Sequence, residues 1–273
     1  MRDLAVVFDG AGVLYTSFRI IKNIDRGITK RSRVSGLSCT DRLEKGAMVI
    51  LKTRYDETLA KEEDSKLLSE VMKEKKIEIR VIYKRGEIDD EEVLETILND
   101  RRIKLKDVHE TMGFLKKCDI LPVVGVALIV EMASKAIKFL IAGGIKFFPG
   151  TRKLLKELSQ MDCAIFIASG DRIEPEEISV YLPEVPQENI FGMMTPEDKR
   201  DLVRKLKDRH KVIMVGDDRN DYLAFCESDI AVLSLQEAAD RPSEIFEVTD
   251  FRIKDIIEVK KIIEELEEHK CGI

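Results

Sequence analysis

The sequence predicts an α/β protein built on a doubly wound parallel sheet, with a separate α+β segment inserted after the first strand. Three observations carry this. Mostly apolar runs of strand length at residues 4–8, Cys163–Ala168 and 211–215 each end in a polar or glycine-containing turn, as strands buried on both faces do. Segments with helical spacing and helix-start signals follow such runs. Between residues 16 and 145 this rhythm stops, and the chain becomes polar, basic and charged before the alternation resumes near Phe147.

The first run delivers Asp9 to the tight turn Asp9-Gly10-Ala11-Gly12, the edge of a parallel sheet where ligands bind. A basic stretch follows at 22–33, then an apolar run at 48–51, charged helical stretches over 57–76 and partial alternation at 77–83, with turns at Gly46 and Gly86. This reads as mixed α and β. The most apolar stretch, 120–130, lies between Asp119 and Glu131 and contains Pro122. It is well short of the about 20 apolar residues that span a bilayer, so it is expected to be buried or to line the inserted segment.

In the second half, Pro149-Gly150-Thr151 opens a helix carrying Leu154, Leu155 and Leu158. Cys163–Ala168 is a strand ending in Ser169-Gly170-Asp171, and 189–193 is a short strand interrupted by Gly192. Thr195 is the expected N-cap of a helix with Pro196 at its first position. The strand 211–215 ends in Gly216-Asp217-Asp218-Arg219-Asn220-Asp221, and 230–233 is another strand. Residues 256–269 form an amphipathic helix with Ile262, Ile263 and Leu266 on one face. The core is therefore expected at 1–15 and 146–273, with 16–145 an inserted domain.

Composition narrows the function classes. A net charge of −6 spread over 273 residues offers no basic field for nucleic acid. The five cysteines have no Cys-x-x-Cys spacing, so reduced thiols in a cytoplasmic protein are expected, with no membrane partner. The N-terminus reads as a strand rather than a signal peptide. His109, His210 and His269 are scattered and suggest no metal site. Nothing in the sequence marks an oligomeric state.

Four pieces stand in order: Asp9-Gly10-Ala11-Gly12-Val13-Leu14, Ser169-Gly170-Asp171, Pro196-Glu197-Asp198-Lys199 and Gly216-Asp217-Asp218-Arg219-Asn220-Asp221. Together they resemble the four motifs of the haloacid dehalogenase (HAD) superfamily of magnesium-dependent phosphoryl-transfer enzymes, with the insertion where a cap domain commonly sits. The resemblance implies a Rossmann-like core, Asp9 as nucleophile, and Mg²⁺ held by Asp9, Asp217, Asp221 and the backbone carbonyl of Ala11, with Asn220 orienting its waters. It further implies that Ser169 and Gly170 hold phosphoryl oxygens of a small-molecule phosphate and that Lys199 neutralises their charge. The charge logic agrees, because a carboxylate attacking phosphorus needs a cation to screen two like-charged partners.

Two departures matter. Most HAD phosphatases have Asp where this chain has Ala11, and a methyl group cannot transfer a proton; such catalysis is typically worth ~10²–10⁴ in rate. The remaining pieces look most like the phosphorylation domain of P-type ATPases, whose acidic leaving group needs little protonation, although Gly10 and Val13 stand in place of that family's Lys and Thr. Lys45-Gly46-Ala47 echoes its adenine-binding Lys-Gly-Ala but reads more simply as an ordinary turn. Two further readings stay open: a phosphonatase-like enzyme using a cap lysine such as Lys45 or Lys52, and a non-catalytic phosphate-binding or interaction protein. A dinucleotide site at Gly10-Ala11-Gly12 is disfavoured, because Tyr15 stands in place of its third glycine and Asp9 would set a carboxylate close to a pyrophosphate.

Overall fold

The structure, a computed structural model, describes residues 3–271 except 33, 35, 118–119, 162, 172 and 238–239. Side chains at 117, 122–124 and beyond 266 are also outside the description, so the expectations for Cys118, Asp119 and the His269 and Cys271 side chains fall outside it. The chain divides into two compact units, Met1–Thr16 with Phe147–Ile273, and Ser17–Lys146.

In chain order the strands are β1 (Asp3–Phe8), β2 (Tyr15–Asn23), β3 (Ile28–Ser32), β4 (Gly46–Leu51), β5 (Ile79–Arg85), β6 (Leu121–Glu131), β7 (Ala136–Phe147), β8 (Cys163–Ala168), β9 (Ile190–Phe191), β10 (His210–Gly216), β11 (Ile230–Ser234) and β12 (Phe251–Ile253). The first unit holds a parallel sheet in the order β12-β11-β10-β1-β8-β9. Ala5 to Phe8 are fully buried, as expected of a central strand covered on both faces. With β8 on one side of β1 and β10 on the other, the strand order reverses at β1. In open α/β sheets the crevice at such a reversal, beyond the strands' C-terminal ends, is where ligands bind.

The helices of this unit follow from their apolar faces and caps. Leu154, Leu155 and Leu158 of the helix Thr151–Leu158 are buried, and so are Ile262 and Ile263 of Glu258–Cys271. Thr195 caps Pro196–Lys207 with a reciprocal capping box to Asp198, which satisfies two otherwise orphaned amides. Val203 of the same helix joins the core formed with Val7, Met214 and Leu233.

Two strand expectations need correction. The strand expected at 189–193 is reduced to Ile190–Phe191, because Gln187–Asn189 forms a 3₁₀ turn and Met193 has φ 55°, outside the extended region. A Cβ at Gly192 would lie 2.2 Å from the Ile173 carbonyl oxygen, so the chain there needs glycine. The edge strand Phe251–Ile253 was not anticipated, since three residues carry no readable period.

The second unit is an antiparallel sheet in the order β3-β2-β7-β6-β4-β5. The basic stretch at 22–33 is largely a hairpin, β2 with β3, turned at Gly27 (φ 64°). The apolar stretch at 120–130 is β6, whose pairing to β7 shifts register between Leu121 and Gly125, a local irregularity that accommodates a strand proline. Helices Leu68–Glu74, Asp90–Leu98 and Leu105–Lys117 contribute Met72, Val93, Ile97, Val108 and Met112 to a core shared with Val49, Leu128 and Leu140 of the sheet. Lys22 is buried and bridges Asp107 (2.9 Å) and Glu110 (2.5 Å). Gly46 and Ala47 lie at the start of β4 rather than in a turn, where a Cβ at Gly46 would press 2.8 Å from the Thr40 carbonyl oxygen. Cys39 and Cys226 are free thiols. Among the described residues no helix is long and apolar enough to cross a membrane.

Candidate active site

The site begins with the turn after β1. The Asp9 amide donates to the Val215 carbonyl (2.8 Å), continuing the register of the strand pair by one residue. The Gly10 carbonyl then accepts from the amides of Leu14 (2.9 Å) and Tyr15 (3.1 Å), closing a tight loop. Gly12 has φ 78°, a conformation that L side chains disfavour. A Cβ at Gly12 would also lie 2.1 Å from Asp217 Oδ2, so this glycine lets the loop approach the end of β10.

Lys199 sits one turn into the capped helix and is fully buried. Its ammonium donates to Asp9 Oδ1 (2.8 Å) and Asp221 Oδ1 (2.7 Å). Asp221 closes a 3₁₀ turn, Arg219–Asp221, and its Oδ2 accepts from the amide of Asp217 (2.9 Å). A Cβ at Gly216 would fall 2.5 Å from the Asp221 carboxyl carbon, so the glycine of Gly216-Asp217 is needed for this folding back. One carboxylate oxygen each from Asp9, Asp217 and Asp221 lies within 4.8 Å of the others.

Three buried or half-buried carboxylates this close repel one another. Burial, then Asp221, raises the Asp9 pKa to about 7 despite Lys199. Burial, then Asp9 and Asp221, raises that of Asp217 to about 8. For Lys199, burial works against the charge, but Asp221 and Asp9 outweigh it and its pKa is raised. The cluster thus has more acidic groups than Lys199 alone can balance, and its donors are all oxygen. That donor set fits a hard divalent cation.

Ser169, fully buried at the end of β8, donates its amide to the Phe191 carbonyl (2.8 Å). Its Oγ accepts from the Asp171 amide (3.1 Å) and lies 3.1 Å from Tyr15 Oη. Gly170 is exposed, and a Cβ there would be 3.3 Å from Asn220 Nδ2. Asn220 Oδ1 is buried with no hydrogen-bond partner among the described residues. Of the residues singled out in the sequence, Asp9, Lys199, Asp217 and Asp221 come together, and Asn220 lies against Gly170. A Cβ at Gly10 would be 2.6 Å from Ser169 Oγ, tying the loop after β1 to the end of β8. Ala11 lies half-buried in that loop, in a bridge to Tyr15.

Sequence reasoning missed four contributors. Ser234 Oγ donates to the Gly12 carbonyl (2.8 Å), and Gln236 Nε2 to that of Val13 (2.8 Å). Arg241 Nε donates to the Asp217 carbonyl (2.6 Å), and its guanidinium lies 3.6 Å from Asp217 Oδ2. Tyr15, fully buried, reaches Ser169. Ser234 had a signal, as it ends a parallel strand beside the site; Arg241 had none. The histidines are elsewhere employed: His109 contacts Asp64 (2.6 Å) and the Leu59 carbonyl (3.0 Å), and His210 begins β10.

Residues 4–228 match the family model described as haloacid dehalogenase-like hydrolase. A soluble P-type ATPase-like phosphatase of Methanocaldococcus jannaschii is 32% identical over 266 residues, covering 95% of this chain and 94% of that protein. A copper-transporting ATPase of Helicobacter felis is 26% identical over 116 residues, 41% of this chain but 15% of the transporter. Among solved structures, a zinc-transporting PIB-type ATPase in an E2·Pi state aligns with a TM-score of 0.47 at 16% identity, over 96% of this chain and 41% of the transporter.

Proposed function

The chain belongs to the haloacid dehalogenase-like hydrolase family, and we propose that it is a Mg²⁺-dependent phosphohydrolase or phosphotransferase that works through an aspartyl phosphate on Asp9. The observation that carries this reading is the buried Lys199 ammonium bound to both Asp9 and Asp221, with the Asp217 carboxylate in the same cluster. A group held only to stabilise the fold would not need three crowded carboxylates, two of them driven toward neutrality.

In this reading Asp9 attacks phosphorus, and Lys199 offsets the charge that accumulates on Asp9 and the phosphoryl oxygens. Asp9, Asp217, Asp221 and the Ala11 carbonyl would hold Mg²⁺, with Asn220 orienting its waters; the ion supplies charge screening between the carboxylate and the phosphoryl group. The Ser169 hydroxyl and the Gly170 amide would hold phosphoryl oxygens. Ala11 offers no proton for the leaving group and no base for water, so phosphoryl donors whose leaving groups depart as weak bases should serve best. Acyl phosphates and nucleoside triphosphates meet that demand; alkyl phosphates do not. The named phosphatase of M. jannaschii supports a small-molecule phosphate as substrate, and residues 16–145 would act as the cap that selects it.

The phosphonatase-like alternative needs a neutral cap lysine. Among the described lysines of this segment the buried one, Lys22, is held charged: burial opposes its charge, but its bonds to Glu110 and Asp107 outweigh this and raise its pKa, while Lys45 and Lys52 are exposed. The test is phosphate release from acetyl phosphate with Mg²⁺ by wild type and Asp9→Asn. Turnover should require Asp9; undiminished turnover in Asp9→Asn would overturn the assignment of the nucleophile.

A further inference from the structure

Tyr15 stands outside the four motifs, yet its hydroxyl is at the site. The residue is fully buried, its ring packs edge-on against Phe147 (centroids 6.3 Å apart, 73°), and its Oη lies 3.1 Å from Ser169 Oγ. Position 10 is coupled to this contact. A Cβ at Gly10 would lie 2.2 Å from Tyr15 Oη and 2.6 Å from Ser169 Oγ. Any side chain at position 10 would therefore displace the tyrosine, the serine or both. Gly10, where P-type ATPases have Lys, and Tyr15 are two halves of one arrangement.

Hydrogen-bond capacity decides what the arrangement does. A serine hydroxyl has one proton and two acceptor lone pairs. The Asp171 amide donates into one of them at 3.1 Å. Either hydroxyl can donate across this contact; a phenol is the more acidic of the two and an alcohol oxygen the better acceptor, which favours the arrangement in which Tyr15 donates and Ser169 accepts. Both lone pairs of Ser169 are then filled, and its own proton is directed away from Tyr15 and Asp171. We propose that Tyr15 is a positioning residue that turns the Ser169 hydroxyl proton toward the bound phosphoryl group and strengthens it as a donor. This rests on the reading that Ser169 holds a phosphoryl oxygen.

The test is calorimetric titration of inorganic phosphate, in the presence of Mg²⁺, into wild type, Tyr15→Phe, Ser169→Ala and the double variant. Tyr15→Phe keeps the ring against Phe147 and removes only the hydroxyl, and near-ultraviolet circular dichroism checks that the fold is retained. One neutral hydrogen bond acting through another should weaken phosphate binding about 3- to 10-fold. The same change in the Ser169→Ala background should have no further effect, because the group through which Tyr15 acts is gone. A merely structural tyrosine would give equal losses in both backgrounds, and that additivity overturns the proposal. Unchanged phosphate affinity in Tyr15→Phe, with weaker binding in Ser169→Ala, overturns it as well and leaves the role of Ser169 standing. No phosphate binding by wild type, or no loss in Ser169→Ala, overturns that role and the proposal together.

Discussion

Replacing Lys199 by Met keeps the length of the side chain and removes one buried charge. The ammonium is fully enclosed, as is the Asp221 carboxylate, and the Asp9 side chain is 4% exposed. Both carboxylates would lose a charge-assisted bond of 2.8 or 2.7 Å with no water to replace it. Breaking a buried ion pair by deleting one partner costs about 3–5 kcal/mol, a large share of the about 5–15 kcal/mol that holds a domain folded. The loss should depend on pH with a definite sign. Lys199 lowers the Asp9 pKa, so in the variant that pKa rises above about 7, still further from the ordinary carboxylate range. A carboxyl with a raised folded-state pKa contributes stability at low pH that is lost as pH rises through that value. Urea unfolding of metal-free protein should therefore show a larger penalty at pH 8 than at pH 5, where Asp9 is protonated. A loss below about 1 kcal/mol at pH 8, small for a buried pair, would refute the burial argument, and equal losses at both pH values would refute the electrostatic one.

Three other outcomes follow from the same geometry. Ala11→Asp restores a proton donor and should raise turnover of alkyl phosphates by ~10²-fold, read as phosphate release against wild type; no gain would mean that the acid comes from elsewhere. Gly12→Ala places a methyl group 2.1 Å from Asp217 Oδ2 at φ 78°, so calorimetry should find Mg²⁺ affinity at least about 10-fold weaker, the scale at which displaced metal-site partners act. Because the ion-free pKa values of Asp9 and Asp217 are raised to about 7 and about 8, Mg²⁺ must displace protons below pH 8. Its apparent affinity should climb by up to about tenfold per pH unit for each proton displaced between pH 6 and 8, and a flat profile would contradict the raised pKa values of the two carboxyls.

Much of the site was legible because its residues follow local signals. Asp9, Ser169 and Asp217 each come just after a buried strand, and parallel-sheet architecture brings such ends to one edge. Lys199 was placed by Thr195-Pro196, a start signal with a mechanical reason, but its complete burial between two carboxylates was not, since that depends on where the helix packs. Ser234, Gln236 and Arg241 reach the site through bonds to backbone carbonyls far away in sequence, which no spacing encodes. Tyr15 was read only as the residue that spoils a glycine fingerprint. In the inserted segment the polar stretch at 22–33 hid a hairpin, because an edge strand such as β3 carries Lys and Arg that blur its period.

The most direct test is the phosphoenzyme itself. Wild-type protein mixed with acetyl phosphate and Mg²⁺, quenched in acid and digested, should yield a peptide carrying a phosphoryl group on Asp9 that hydroxylamine releases. The label should accumulate, because Ala11 provides no base to speed hydrolysis, and it should be absent from Asp9→Asn. Turnover of acetyl phosphate with no label on Asp9, or with the label on another residue, would contradict the mechanism.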